Sequence, residues 1–427
     1  MLESLWVWTL ATGLISIIGY LLGTWTHDHF SKKNVPHLKP VPFFGNMGSV
    51  AFRIVSLPES LVDWYNRLKG HKYGGVYEFL NPIILLRDPE LIKMVTVKDF
   101  EHFVDRGVRI SEEVEPLFGK GLFSLKGQRW KDMRSTLSPA FTSSKMKNMF
   151  VLITECGKQL TDFLEKCIND KNMTIEGCKI EREGNILAVE MKDLFTRYTN
   201  DVIATSAFGI KWEDDDITAQ VALFFLAGFD TASSLLSFAS QLLAMHPDIQ
   251  SRLQDEIDQT LKVDGGNLTY EAVHGMKYLD MVVSAPHINI LFTIYLLINN
   301  FLDYVIFPFH KSPLVSLYNL LKAIFVLSLV IYVTETLRIY PPIGILERRC
   351  VQTYTLPAEP HYTLNPGDFV YIPVYALHHD PDYFPDPEKF DPERFSDENK
   401  GSIKACTYLP FGSGPRNCIG KKYLLSV

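Results

Sequence analysis

The sequence predicts a mainly α-helical protein with a smaller β region, an α+β fold. Three observations carry that reading. The longest helical pattern, Asp216 to Met245, is predominantly apolar. Strand-like alternation is confined to short stretches: Gly75 to Leu86, Ile345 to Tyr354, Tyr362 to Leu364 and Phe369 to Tyr375. Near the end, a glycine-rich turn, Phe411-Gly-Ser-Gly-Pro-Arg-Asn-Cys418-Ile-Gly420, runs into an apolar, helix-like segment, Ile419 to Leu425.

The chain has 427 residues and is 47% hydrophobic, ample for a large core. Its net charge of −7 argues against nucleic acid as the main partner. Six cysteines, Cys156, Cys167, Cys178, Cys350, Cys406 and Cys418, stand at no metal-like spacing. That usage suits a reducing, cytosol-facing protein with five structural thiols.

At the amino end, Leu5 to Trp25 is 21 uncharged residues, enough to span a bilayer as a helix. A cleaved signal is the competing reading. The run is too long for a signal core, and the charge before it is Glu3 rather than Lys or Arg. Lys32 and Lys33 follow and favour a cytosolic carboxyl side. Pro36, Pro40 and Pro42 then give a stiff lead into the soluble part. The sequons at Asn172 and Asn267 would face the cytosol and stay unused.

Leu57 to Leu68 reads as an amphipathic helix, Gly75 to Leu86 as a strand pair turning at Asn81-Pro82, and Pro89 to Val95 as a short helix. Arg106 follows as an anion partner. Trp130 and Arg134 stand four apart in a helix, so they share one face and can touch one ligand; a surface Arg beside a packed Trp is the plainer alternative. Ser143 to Leu164 and Ile186 to Ala207 read as two further helices. In the Asp216–Met245 helix, Asp214-Asp-Asp216 suits the start. Its centre, Ala227-Gly-Phe-Asp230-Thr231, has small residues beside an acid and a hydroxyl. Thr231 is placed to bond the Ala227 carbonyl. This is either a packing notch or an oxygen-binding groove with a proton relay. Pro247 opens another helix to about Leu261. Glu335 and Arg338, three apart, suit an ion pair that Arg394 of Pro392-Glu-Arg-Phe395 could join. His378 and His379 read as loop residues rather than ligands.

The Cys418 turn has chemistry of its own. A thiolate is stabilised by backbone N–H groups of a tight loop and by a following helix start. Gly412, Gly414 and Gly420 let backbone approach a flat cofactor, Phe411 shields the sulfur, and Arg416 can pair with a carboxylate. One cysteine does not hold an iron–sulfur cluster; a single thiolate under a planar cofactor points to haem. A buried structural cysteine explains the same turn, and this stretch alone does not choose.

The ordered set does choose. Trp130-x-x-x-Arg134, Ala227-Gly-Phe-Asp-Thr231, Glu335-x-x-Arg338, Pro392-Glu-Arg-Phe395 and the Cys418 decapeptide together resemble the cytochrome P450 superfamily, closest to its insect microsomal detoxification branch. The resemblance covers most of 1–283 and 335–427. It implies the haem-thiolate fold, with residues 1–30 as membrane anchor and 31–427 as haem domain. It implies haem b (iron protoporphyrin IX), with Cys418 as proximal ligand and Arg106, Trp130, Arg134, Arg348 and Arg416 on the propionates. Asp230 and Thr231 would deliver protons to dioxygen during monooxygenation of lipophilic small molecules. Electrons would come from NADPH through a cytochrome reductase, with cytochrome b5 as a further donor, at the endoplasmic reticulum membrane. Arg129, Lys131, Lys421 and Lys422 would form the docking face.

Three departures stand against the family pattern. Phe208-Gly-Ile-Lys211 meets Asp214 almost at once, where members place helices that roof the pocket. Residues 285–334 intervene before Glu335, and the chain ends at Val427, soon after the helix following Cys418 begins. The insertion reads as a membrane hairpin or as a retained intron or faulty gene model. Domain packing and its Ile, Leu, Phe, Tyr and Asn bias favour the latter. Two rivals follow: a non-catalytic or misfolded product of such a gene, and a haem-thiolate isomerase or synthase needing no reductase. The chain as written is expected not to be a competent monooxygenase.

Overall fold

The computed structural model describes residues 2–107, 112–113, 115–169, 180–183, 186–207, 215–263, 269, 272, 276 and 334–420. The Asp214 helix start, the 285–333 part of the insertion and the segment after Gly420 lie outside the described residues.

In chain order the principal elements are α1 (Leu2–Thr24), α2 (Leu57–Arg67), β1 (Tyr73–Glu78), β2 (Asn81–Leu86), α3 (Gly127–Leu137), α4 (Ser143–Asn169), β3 (Ile180–Glu183), β4 (Ile186–Val189), α5 (Met191–Ala207), α6 (Asp215–Met245), α7 (Pro247–Val263), α8 (Thr334–Ile339), β5 (Leu346–Arg349), β6 (Phe369–Ile372) and α9 (Val374–His378). The fold is helix-dominated with short strands, as the pattern requires. Two readings are corrected. Ile186 to Ala207 is not one helix: Ile186–Val189 pairs with Ile180–Glu183 as a hairpin, and the helix begins at Met191. The strand read through Tyr375 stops at Ile372, and Tyr375 lies in α9.

One compact unit comprises Met1–Gly107, Gly344–Asp380 and Ala405–Thr407. Here α1 carries exposed apolar side chains, among them Leu14, Ile15, Ile17 and Leu22. Helix α2 starts at a capping box in which the Ser56 hydroxyl accepts from the Glu59 amide and the Glu59 carboxylate accepts from the Ser56 amide. Its inner face buries Leu61, Trp64 and Tyr65. The sheet has the order β1-β2-β6-β5; β2 and β6 run parallel, the other neighbours antiparallel. Leu61, Trp64, Leu68, Val76, Ile83, Leu85 and Tyr371 form the core between α2 and the sheet. Alternation along β5 buries Leu346 and Arg348 together, so a charged residue occupies an inward position.

The second unit comprises Val108–Ile343, Pro381–Lys404 and Tyr408–Val427. Helix α6 is its axis and packs most extensively along α5. Ala232, Leu235, Leu236, Ala239, Leu242 and Leu243 bury its carboxyl half. Ile339 of α8 meets Leu242 and Phe390 in a small apolar cluster, and Tyr340 stacks on Phe238 at 4.6 Å between ring centroids.

Candidate active site

The Cys418 loop is shaped by its glycines at two places. Gly412 and Gly414 hold φ of 78° and 73°, the left-handed region that favours glycine. The Gly412 amide donates to the Leu409 carbonyl at 3.0 Å and the Asn417 amide to the Gly414 carbonyl at 2.9 Å. The turn presents Cys418 half-buried and outside any disulfide, with buried Phe411 across the loop; the Cys418 amide faces the Phe411 carbonyl at 3.4 Å. Gly420 differs from the expectation. A Cβ there would make an ordinary contact with Cys418 Sγ at 3.9 Å, so nothing among the described residues demands glycine.

Arg416 is 2% exposed. It donates to the Leu122 carbonyl at 3.4 Å and the Leu125 carbonyl at 2.6 Å. Its guanidinium lies 4.0 Å over the Trp130 ring. Arg134 donates from Nη1 to the Asn417 carbonyl and from Nη2 to Asn417 Oδ1, both at 2.7 Å. Burial pulls the Arg134 pKa below its usual value, with the Cys418 thiolate opposing. The four-residue spacing thus delivers Trp130 and Arg134 to the same loop, Trp130 at Arg416 and Arg134 at Asn417.

In α6, Thr231 is buried and its hydroxyl donates to the Ala227 carbonyl, the bond read from the spacing. Asp230 has a partner that sequence reasoning missed. Lys192 Nζ, at the start of α5, donates to Asp230 Oδ1 at 2.8 Å, to Ser234 Oγ at 2.7 Å and to Ser233 Oγ at 2.8 Å, and lies 3.2 Å from the Asp230 carbonyl. No periodicity links positions 38 residues apart, so only the fold reveals it.

Glu335 and Arg338 are both 0% exposed. Arg338 Nε and Nη2 donate to Glu335 Oε2 and Oε1, each at 2.8 Å, and Nη2 also reaches the Pro387 carbonyl at 2.5 Å. The Asp391 amide donates to Glu335 Oε1 at 3.1 Å, and Arg394 Nε stands 3.5 Å from the same oxygen. Burial pushes the Glu335 pKa up while Arg338 pulls against it. Tyr408, a second residue missed from sequence, borders the pair; burial, then the Glu335 charge, raises its phenol.

In the other unit, Asp105 bridges to Arg349, so Arg106 follows directly on the edge of β5. Arg348 is 1% exposed; it donates from Nη1 to the Glu347 carbonyl at 2.9 Å, and its buried Nε has no hydrogen-bond partner. Burial alone draws its pKa down to about 10. His378 is fully buried at the end of α9 rather than in a loop, while His379 lies in the turn that follows and stacks on Tyr375 at 4.2 Å. Among the described residues, no three His, Cys, Asp or Glu side chains gather as a metal-binding set.

A cysteine in a left-handed glycine turn, with buried Arg416 and half-buried Arg134 beside it in a helix-dominated fold, suits a haem-thiolate protein. The chain belongs to the cytochrome P450 family, whose model, described as Cytochrome P450, matches residues 35–215, 210–284 and 318–423. It is 49% identical to Cytochrome P450 9e2 of Blattella germanica, over 99% of this chain and 90% of that protein. It is 32% identical to Cytochrome P450 6j1 of the same insect, over 96% and 86%. It is 31% identical to Cytochrome P450 9b2 of Drosophila melanogaster, over 96% and 88%. The insect assignment read from the motifs agrees with these relatives. By family, the chain is a haem-containing oxidoreductase of the monooxygenase class. The alignment with P450 9e2 runs over 529 positions against 427 residues here, so about a hundred positions of that relative have no counterpart. The family match also breaks at 210–215 and leaves 285–317 uncovered.

Proposed function

We propose that this chain derives from a monooxygenase that inserts one oxygen atom of O2 into lipophilic small molecules, with Cys418 as the haem iron ligand. The observation that carries it is the half-buried Cys418 turn, held by Arg134 through Asn417 and by Arg416 two residues away. The donor set fits haem b. The glycine turn offers the Cys418 sulfur to the iron. Arg348, with a buried unpartnered Nε, lacks an anion that a propionate would supply. Arg106, Trp130, Arg134, Arg348 and Arg416 are assigned to the propionates.

Bound iron protoporphyrin IX would supply an electron-rich, thiolate-ligated centre at which dioxygen is reduced and cleaved. The chain's own residues do the rest. Phe411 covers one side of the turn, and the Arg134 guanidinium places a positive charge near Cys418 that favours its thiolate. The Thr231 hydroxyl, its hydrogen committed to Ala227, offers its lone pairs to a proton-bearing group at the α6 notch. Lys192 holds Asp230 by Oδ1, and Oδ2 is the atom that takes and hands on a proton.

Electrons are assigned to NADPH through a cytochrome reductase, with cytochrome b5 as a further donor. Arg129, which pairs with Glu112 at 2.9 Å, and Lys131 belong to the docking face; Lys421 and Lys422 lie outside the described residues. The apolar α1 supports an anchor in the endoplasmic reticulum membrane with the haem domain in the cytosol. An isomerase or synthase is disfavoured by Asp230 and Thr231, which serve proton delivery.

A second reading is favoured by one observation. About a hundred positions of P450 9e2 are missing, and the family match breaks at 210–215, where members place their roof helices. In that reading the chain is a non-catalytic product of such a gene. Expression with a reductase decides between the two, with haem content and product both measured. Stoichiometric haem with NADPH-dependent product rejects the second reading; haem-poor protein without product supports it. Product without reductase would instead favour the isomerase.

A further inference from the structure

We propose that Gln220 is a positioning residue for the Cys418 loop, acting through the 120–125 turn and Arg416. Its consequence for haem rests on the haem-thiolate reading; its geometry does not. Gln220 lies on α6 ten residues before Asp230, about 15 Å along the axis at the α-helical rise. It is 2% exposed, and its carboxamide is used on both sides. Oε1 accepts from the Leu122 amide and Nε2 donates to the Lys120 carbonyl, each at 2.7 Å.

The turn it grips is tight. The Ser124 and Leu125 amides donate to the Gly121 carbonyl at 2.9 and 3.1 Å. Leu223, one helical turn after Gln220, presses on the same spot: a Cβ at Gly121 would lie 3.2 Å from Leu223 Cδ2. The turn therefore has little room to shift along α6. Its far side holds Arg416, through the carbonyls of Leu122 and Leu125. Leu122 is thus held at its amide by Gln220 and at its carbonyl by Arg416. Arg416 stacks on Trp130 and stands two residues before Cys418. A continuous set of hydrogen bonds joins the helix that carries Asp230 and Thr231 to the turn that carries the thiol. Gln220 fixes the axial register between them.

The opposing account is that Gln220 only satisfies buried backbone groups, which would lower stability when lost but leave Arg416 in place. Fluorine NMR of the full chain labelled with fluorotryptophan separates the two, with the Trp130 signal assigned from Trp130→Phe. Gln220→Leu should displace the Trp130 signal in the direction that Arg416→Leu displaces it, by at least half as much. The double variant should add no further displacement. An unmoved Trp130 signal in Gln220→Leu, whatever its melting temperature, overturns the proposal. If that variant does not fold, Gln220→Glu carries the test. It keeps the acceptor for Leu122 and loses the donor to Lys120. A smaller displacement in the same direction supports the proposal and an unmoved signal overturns it. A parallel haemin titration should show several-fold weaker uptake in either variant. If parent and variants all fail to take up haemin while Trp130 still responds, the clamp stands and the haem reading falls.

Discussion

Arg338 and Arg348 are ten residues apart, buried to 0% and 1% exposure, and surrounded very differently. Arg338 faces a carboxylate through two hydrogen bonds at 2.8 Å and adds the Pro387 carbonyl. Arg348 has the Glu347 carbonyl and a bare Nε. Removing a guanidinium from water costs several kcal/mol, which only good pairing offsets. Among the described residues that pairing is present at Arg338 and not at Arg348. The first arginine is part of the architecture. The second has a cost that an anionic ligand would relieve, and this is why a propionate is assigned to it.

The comparison can be broken at either end. The largest effect is expected from Glu335→Gln, which strands Arg338 in the interior. Urea unfolding should show a loss of about 3–5 kcal/mol; a loss below about 1 kcal/mol would mean that the pair is not structural. Arg348→Met should do the opposite in haem-free protein, raising stability by about 1–3 kcal/mol because an uncompensated charge leaves the interior. The same variant should take up haem at least tenfold more weakly. Destabilisation without any change in haem uptake would remove Arg348 from the site. Arg134→Leu should cost about 1–2 kcal/mol and speed amide exchange at Asn417 and Cys418, since two bonds to the loop disappear. The smallest effect is expected from Arg67→Ala. Its partner Asp63 is 3.3 Å away, but both side chains are more than half exposed, so less than about 1 kcal/mol should be lost.

Local spacing made part of this legible in the sequence. The Thr231–Ala227 bond, the Glu335–Arg338 pair and the shared face of Trp130 and Arg134 all follow from 3.6-residue periodicity. The glycine turn at Cys418 was legible because positive φ restricts residue choice. What was not legible is set by long-range contact. Lys192 reaches Asp230 across 38 positions and Gln220 reaches Leu122 across 98. The acceptors of Arg416 lie nearly three hundred positions away and are backbone carbonyls, which every residue carries. The Ile186–Val189 strand was misread for another reason. A four-residue apolar run fits a strand or a helix turn equally, and the helix beginning at Met191 absorbed it.

The most direct measurement is the spectrum of the reduced, carbon monoxide-bound chain after haemin loading, taken for the parent, Cys406→Ala and Cys418→Ala. Cys406 is the other partly exposed cysteine among the described residues, which makes it the proper control. The thiolate-type band should appear in the parent and in Cys406→Ala, and vanish in Cys418→Ala. Loss of the band in Cys406→Ala with its survival in Cys418→Ala would contradict the assignment of Cys418 as the haem ligand.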